Sequence, residues 1–223
     1  MAVIAVPLPQ SSSGPIGLGI ELRKTFAGDA IAASLRVLRP ALAGTADRDL
    51  LLAPSGLNAI HTAFQASAAL QASRGRTVWL QLGWLYLDTI AILKRFTTTA
   101  SDYVYVRDPL DQAAIARIFH KHGTRIAGVV AELPTNPLIQ TPDVAAIAAL
   151  CRTHGAHLIL DPSVASLFSL NILPHADLVA SSLTKYTASE GDLTAGLVAI
   201  NPASPDAAHL RSHVTADIEP VYV

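Results

Sequence analysis

The sequence predicts an α/β protein of three layers, in which a mainly parallel sheet carries helices on both faces. Two observations lead to this prediction. From about residue 50 onward, short apolar runs alternate with segments of helical periodicity, which is typical of parallel strands joined by crossover helices. In addition, 51% of the 223 residues are hydrophobic and 15% are charged, so the chain can bury a large core.

The first elements follow an irregular start. Residues 1–20 are rich in Pro, Ser and Gly and predict a lead-in without regular structure. A helix is expected over 27–42, because apolar residues recur there at spacings of four and three. A short apolar run at 50–53 ends in a Pro-Ser-Gly turn, and a second helix is expected over 57–73.

The remaining elements alternate between strand and helix. Strands are predicted at 77–82, 103–106, 126–131, 157–160, 178–180 and 195–200. The predicted helices between them lie at 88–96, 110–122 and 142–154. Strands that alternate with helices in this way favour parallel pairing.

The composition argues against several classes of protein. The net charge is −1 and no basic stripe is interleaved with aromatic residues, so nucleic acid is not an expected partner. No charge-free and proline-free apolar stretch reaches about 18 residues, and we expect neither a membrane span nor a signal peptide. A single cysteine, Cys151, fits a cytoplasmic protein without an internal disulfide. The histidines lack metal-ligand spacing, so no metal site is expected.

Polar residues follow two of the predicted strands at the point where each strand ends. Asp161 comes directly after 157–160, and Lys185 follows 178–180. Ligands of open parallel sheets bind beyond the carboxyl ends of the strands, so Asp161 and Lys185 are expected at one ligand-binding edge. Ser55 and Gly56 open the helix over 57–73, where free N–H groups suit a phosphate, although Ser55 is equally expected as a simple N-cap.

At these residues the sequence resembles the Cys/Met-metabolism family of pyridoxal-phosphate (PLP) enzymes, such as cystathionine γ-synthase and methionine γ-lyase. The segment 132–138, Glu-Leu-Pro-Thr-Asn-Pro-Leu, is similar to the family's Glu-Thr-Pro-Thr-Asn-Pro. The segments 160–163, 176–177 and 182–186 resemble its Val-Asp-Asn-Thr, Ala-Asp and Ser-x-Thr-Lys-Tyr motifs. Upstream, 55–60 resembles Ser-Gly-Met-Ala-Ala-Ile, and Tyr86 with Thr89 fits Tyr-Gly-Gly-Thr.

The resemblance implies a role for each matching residue. Lys185 corresponds to the lysine that holds PLP as a Schiff base and then acts as the base, and Asp161 to the carboxylate that pairs with the pyridine nitrogen. Tyr86 corresponds to the tyrosine that stacks on the ring. The remaining predicted contacts with the cofactor are Ser55, Gly56, Leu57, Asn136, Ser163, Ser182 and Thr184.

The resemblance also implies an overall organisation. The fold would be that of PLP-dependent transferases of fold type I, the aspartate-aminotransferase-like large domain. Residues 1–49 would form an N-terminal lead-in and helix, 50–203 the PLP-binding large domain, and 204–223 the start of a connection to a C-terminal domain absent from this sequence. A homodimer or homotetramer is expected.

The expected activity is elimination or replacement at the β- or γ-carbon of a sulfur amino acid or an activated homoserine, in the manner of transsulfuration. Two alternatives remain open. One is a different reaction on the same fold, such as transamination. The other is a non-catalytic scaffold subunit, because Leu87, Asp88 and residues 189–191 depart from the family's motifs.

Overall fold

The computed structural model describes residues 30–188 and 193–218. The strands are β1 (Leu50–Ala53), β2 (Val78–Leu82), β3 (Tyr103–Val106), β4 (Ile126–Glu132), β5 (His157–Asp161), β6 (Leu178–Ser182) and β7 (Gly196–Ile200). The helices are α1 (30–38), α2 (Gly56–Ser73), α3 (Leu87–Phe96), α4 (Gln112–His122), α5 (Val144–His154) and α6 (Ala207–Asp217). No helix in these described ranges is both long and apolar enough to cross a membrane.

All seven strands form one sheet in the order β1-β7-β6-β5-β4-β2-β3. The pairs β6–β5, β5–β4, β4–β2 and β2–β3 are parallel, whereas β7 runs antiparallel to both of its neighbours. The prediction of a mainly parallel sheet is confirmed. Since β1 and β6 both run opposite to β7, the carboxyl ends of every strand except β7 meet at one edge.

The sheet lies between two helical layers, as expected. On one face, Leu38 of α1, Phe119 of α4 and Ile147 of α5 pack into one buried cluster. On the other face, buried residues of α2, α3 and α6 form a second cluster, among them Phe64 and Leu210. The β4 strand is buried along its whole length, because both of its faces are covered.

Three strands extend further than their apolar runs suggest. The ladder of β4 and β5 pairs Glu132 with Asp161, and that of β6 and β7 pairs Ser182 with Gly196. Backbone pairing continues into these polar residues because a ladder requires only N–H and C=O groups, whatever the side chain. Asp161 and Ser182 therefore stand on the strands themselves.

Two other elements differ from expectation. The helix expected over 27–42 gives way after residue 38 to a 3₁₀ turn, Arg39–Ala41, where Pro40 lacks the N–H that a continuing helix needs. The α6 helix was not predicted, since its sequence buries only Ala207, Leu210 and Val214. The residues before 30 and the altered segment 189–191 lie outside the described residues.

The predicted division at residue 203 stays a prediction. Within the segment expected to be a connection, α6 contributes Leu210 and Val214 to the buried cluster that also contains Phe64 of α2. At its start, Asp206 accepts two hydrogen bonds from the Arg74 guanidinium at 2.6 and 2.7 Å. The described part of this segment is thus packed against the sheet domain.

Candidate functional site

The candidate site lies at the edge where the carboxyl ends of the strands meet. The polar residues predicted there end or follow five of the strands. Going across the sheet from β1, these residues are Ser55 after β1, Ser182 and Lys185 at the end of β6, Asp161 at the end of β5, Asn136 after β4 and Tyr86 after β2. This placement follows from the parallel direction of the strands.

Asp161 is a buried carboxyl whose side chain has no cationic partner among the described residues. It is 7% exposed, and no Lys, Arg or His of the described ranges forms an ion pair with it within 4.0 Å. Burial raises its pKa to about 6, although hydrogen bonds from Ser163 lower the pKa in part. A cationic or proton-donating ligand group would therefore be stabilised here.

Ser163 joins Asp161 to the neighbouring strand. Its hydroxyl donates to Asp161 Oδ1 at 2.5 Å, and its backbone N–H donates to the same oxygen at 2.9 Å. The hydroxyl oxygen also accepts the backbone N–H of Ser182 at 2.7 Å. Ser163 therefore orients the Asp161 carboxyl, and its hydroxyl is already occupied by contacts within the protein.

The N-terminus of α2 lies against the end of β6. Ser55 is the N-cap of this helix, with its Oγ accepting the N–H of Asn58 at 3.1 Å. A Cβ on Gly56 would stand 2.5 Å from the Cβ and 2.8 Å from the Cα of Ser182, so only glycine allows this approach. The first N–H groups of α2, at Gly56 and Leu57, have no partner in the preceding turn and are available to an anion.

Lys185 lies in the turn that follows β6, three residues after Ser182. The Lys185 side chain is exposed. The turn is held by Thr184, whose Oγ1 accepts the N–H of Ala195 at 3.1 Å and donates to its carbonyl at 3.3 Å. Thr184 thus anchors the lysine-bearing turn to the residue before β7.

Tyr86 and Asn136 lie on separate loops that meet at one buried carboxyl, Glu132. Tyr86 is 56% exposed and Asn136 is also exposed, whereas Glu132 is only 4% exposed. The backbone N–H of Tyr86 donates to Glu132 Oε1. Burial and the nearby Asp161 raise the pKa of Glu132 to about 8, while the backbone N–H groups of Tyr86 and, more weakly, Asn136 lower that pKa.

The structure connects four of the ten predicted residues directly. Asp161, Ser163, Ser182 and Gly56 are linked by hydrogen bonds or direct contact. Sequence reasoning did not assign a role to Glu132. The signal was available, because Glu132 directly follows an apolar strand, as Asp161 does, and pairs with it across β4 and β5.

These features match the chemical groups of PLP. A buried carboxyl with no cationic partner among the described residues suits a protonated pyridine nitrogen, and the first N–H groups of α2 suit a phosphate. Lys185 provides a primary amine on the same edge, as attachment to the aldehyde of PLP requires, and Tyr86 offers an exposed ring. The residues present therefore fit the cofactor.

The raised pKa of Glu132 predicts a pH-dependent stability of the cofactor-free protein. The Glu132 carboxyl keeps its proton up to about pH 8 in the folded state, whereas its pKa in the unfolded state is the ordinary 4.5. The stabilisation is therefore complete below pH 4.5 and is lost as the pH rises to about 8. We expect a loss of up to about 5 kcal/mol in the free energy of unfolding across this window, since the pKa rises from 4.5 to about 8 and each pKa unit corresponds to about 1.4 kcal/mol.

Denaturant unfolding between pH 4.5 and 8.5 measures this loss. The Glu132→Gln variant, which cannot titrate at this position, should show a flatter profile than the wild type. Parallel profiles for the two proteins would contradict the assignment of the titrating group.

Comparison with known proteins gives a family and a fold. Residues 37–218 match the profile of the family described as Cys/Met metabolism PLP-dependent enzyme. The chain is 42% identical over 164 residues to an L-2-amino-4-chloropent-4-enoate dechlorinase/desaturase of Streptantibioticus cattleyicolor. This alignment covers 73% of this chain and 32% of that protein. It is 28% identical over 183 residues to a cystathionine γ-synthase of Neurospora crassa, covering 81% of this chain and 29% of that one.

A solved structure has the same fold. The methionine γ-lyase of Micromonospora echinospora superposes with a TM-score of 0.57 at 24% identity, covering 77% of this chain and 44% of that one. The chain spans about a third of the length of the curated relatives described above. The fold-type-I architecture expected from the sequence is confirmed.

Proposed function

Because the chain belongs to the Cys/Met metabolism family of PLP-dependent enzymes, we propose that it takes part in elimination or replacement at the β- or γ-carbon of an amino acid. The observation that carries this proposal is Asp161, a buried carboxyl with a raised pKa and no cationic partner among the described residues. Asp161 ends β5, and Lys185 follows the neighbouring strand, β6.

Each part of the site has its own task in holding the cofactor. Asp161 pairs with the pyridine nitrogen and keeps it protonated, and the Ser163 hydroxyl keeps the carboxyl oriented. The N–H groups of Gly56 and Leu57 bind the phosphate, together with the hydroxyls of Ser182 and Thr184. Tyr86 packs on the ring, and Asn136 lies beside the ring hydroxyl. Ser55 acts through the helix N-terminus that it caps.

Lys185 has two tasks in this proposal. Its Nζ would attach the cofactor, and the same Nζ would remove the proton from the substrate α-carbon. When bound, PLP accepts the electron pair that this leaves, which permits departure of a group from the β- or γ-carbon. The turn that carries Lys185 is held by the contacts between Thr184 and Ala195, which supports a fixed position for the lysine.

The substrate class is a sulfur amino acid, an activated homoserine or a γ-halogenated amino acid. Cystathionine γ-synthase relatives support the first two classes. The relative with 42% identity supports the third, since its name describes the removal of chlorine from a 4-chloro amino acid. In all three, a leaving group departs from a carbon beyond the α-carbon, so the same α-proton removal by Lys185 serves each.

We further propose a cytoplasmic homo-oligomer, a homodimer or homotetramer. Around the site edge, exposed apolar side chains stand on several loops, a pattern that favours a protein contact. They are Tyr86, Leu87, Leu138, Ile139, Phe168 and Tyr186. The single cysteine, Cys151, is buried and unpaired, which fits a reducing compartment.

Attachment of the cofactor is tested by trapping. Incubation with PLP, borohydride reduction and peptide mapping should leave a pyridoxyl group on Lys185 and on none of the other lysines, which are Lys24, Lys94 and Lys121. Lys185→Ala should abolish the label, and the control Lys94→Ala, which removes another exposed lysine, should retain it. A label elsewhere, or no label with excess cofactor, would refute the proposal.

The reaction class is tested by the products. Cystathionine, methionine, O-acetylhomoserine and L-2-amino-4-chloropent-4-enoate are supplied to the PLP-loaded protein, and ammonia, keto acids and free chloride are measured. Release of ammonia with a keto acid or chloride supports elimination. Transfer of the amino group to an added keto acid would instead indicate transamination, and no colour or product at all would indicate a scaffold.

A further inference from the structure

We propose that Glu132 is a positioning residue that fixes the loops carrying Tyr86 and Asn136, and so sets where two of the candidate cofactor contacts stand. This inference rests on the proposed function, because the two residues matter only if they contact PLP. Glu132 itself is buried at the end of β4 and acts through the backbone of its neighbours. No role for it follows from the sequence motifs alone.

The loop after β4 also has hydrogen bonds of its own, from Thr135 N–H to the Gln140 carbonyl at 3.0 Å and from Ile139 N–H to the Thr135 carbonyl at 2.8 Å, so Tyr86 depends more on Glu132 than Asn136 does. The side chains of Tyr86 and Asn136 are exposed, and neither forms a hydrogen bond with another described residue. Their positions are therefore determined by the backbone. The backbone of Tyr86 is anchored by its N–H to Glu132 Oε1 and by its carbonyl, which accepts the N–H of Ile90 at 3.0 Å at the start of α3.

The chemistry of a carboxyl group suits this task better than that of an amide. A carboxyl group has two oxygens that can accept hydrogen bonds, so it can serve N–H groups from two loops, also when one oxygen carries the proton that the raised pKa favours. The N–H of Tyr86 donates to it, and that of Asn136 acts on the same group more weakly. A glutamine would turn an NH₂ group toward one of the two donors and leave it without an acceptor.

The position of Glu132 explains why the two loops can share it. It is paired with Asp161 across β4 and β5, so it stands beside the carboxyl assigned to the pyridine nitrogen. The loop after β2 and the loop after β4 begin on adjacent parallel strands, whose ends lie at the same edge. One buried carboxyl at that edge therefore reaches both loops and fixes them relative to Asp161.

The test begins with hydrogen–deuterium exchange on the cofactor-free protein. Leaving a buried N–H donor without its acceptor costs the desolvation penalty of that donor, which corresponds to roughly tenfold in local opening. Glu132→Ala should therefore speed exchange about tenfold at the amide of Tyr86, whose N–H donates to Glu132, and by less at the amide of Asn136. Glu132→Gln, which keeps one acceptor oxygen and the side-chain volume, should show a smaller increase.

The matched control is Asp49→Asn. Asp49 is another buried carboxyl with two donors, the N–H of Ala46 at 2.8 Å and Nε of Arg211 at 2.9 Å, at the opposite end of β1 from Ser55. Asp49→Asn should leave exchange at Tyr86 and Asn136 unchanged. Unchanged exchange in the Glu132 variants, or an equal increase throughout the chain, would overturn the proposal.

A second measurement connects the loops to the ligand. The dissociation constant for PLP, followed by fluorescence, should rise about tenfold in Glu132→Ala and less in Glu132→Gln. Faster exchange with an unchanged dissociation constant would overturn the positioning role. If the wild type binds no PLP, the proposed function fails, and the positioning role fails with it because it depends on that function. Hydrogen exchange in the cofactor-free protein distinguishes this result from a failure of the loop contacts themselves.

Discussion

Asp161→Asn should lower the rate of α-proton exchange in the PLP-loaded protein by about 10- to 150-fold. The amide has nearly the same shape, and its oxygen can still accept the N–H and hydroxyl of Ser163, so the fold should persist. It carries no charge, however, and cannot stabilise a protonated pyridine nitrogen. Loss of such a charge-assisted contact costs about 1.5–3 kcal/mol, which corresponds to this fall in rate.

The measurement is the exchange of the substrate α-proton with deuterium, followed by NMR. Asp102→Asn is the matched control, since Asp102 is also a buried carboxyl but lies just before the amino end of β3 and pairs with Arg125 at 2.7 Å. The control should exchange at the wild-type rate. An Asp161→Asn protein as fast as the wild type would show that this carboxyl does not act on the cofactor.

Gly56→Ala should weaken both the fold and the binding of PLP. The new methyl group would stand 2.5 Å from Ser182 Cβ and 2.8 Å from Ser182 Cα, and a backbone atom cannot swing aside. The start of α2 must therefore move away from β6, at a cost of about 1–3 kcal/mol. The same movement displaces the N–H groups assigned to the phosphate, so we expect the dissociation constant for PLP to rise at least tenfold.

Gly128→Ala separates these two effects. Its methyl group would stand 2.5 Å from the Trp79 ring and 2.7 Å from the carbonyl oxygen of His157, at the amino-terminal end of β5 and away from the site. It should therefore reduce stability without changing the dissociation constant. Equal PLP affinity in the Gly56→Ala variant would remove the start of α2 from the phosphate site.

The order of residues along the chain was enough to predict the layers and the edge that carries the site. Alternation of strand and helix favours parallel pairing, and parallel pairing places the ends of β4, β5 and β6 together. The positions of Asp161, Ser182 and Lys185 followed from this rule and from the resemblance of their motifs. These inferences succeed because they depend on periodicity and on local spacing, both of which are written in the sequence.

Contacts between distant segments could be read only from the folded protein. The antiparallel direction of β7, the packing of α6 on α2, the approach of Gly56 to Ser182 and the link from Glu132 to the Tyr86 loop all join residues far apart in sequence. Their geometry depends on how the strands are ordered across the sheet, which no local pattern encodes. The raised pKa of Glu132 has the same origin, since burial and the neighbouring Asp161 exist only once β4 and β5 are paired.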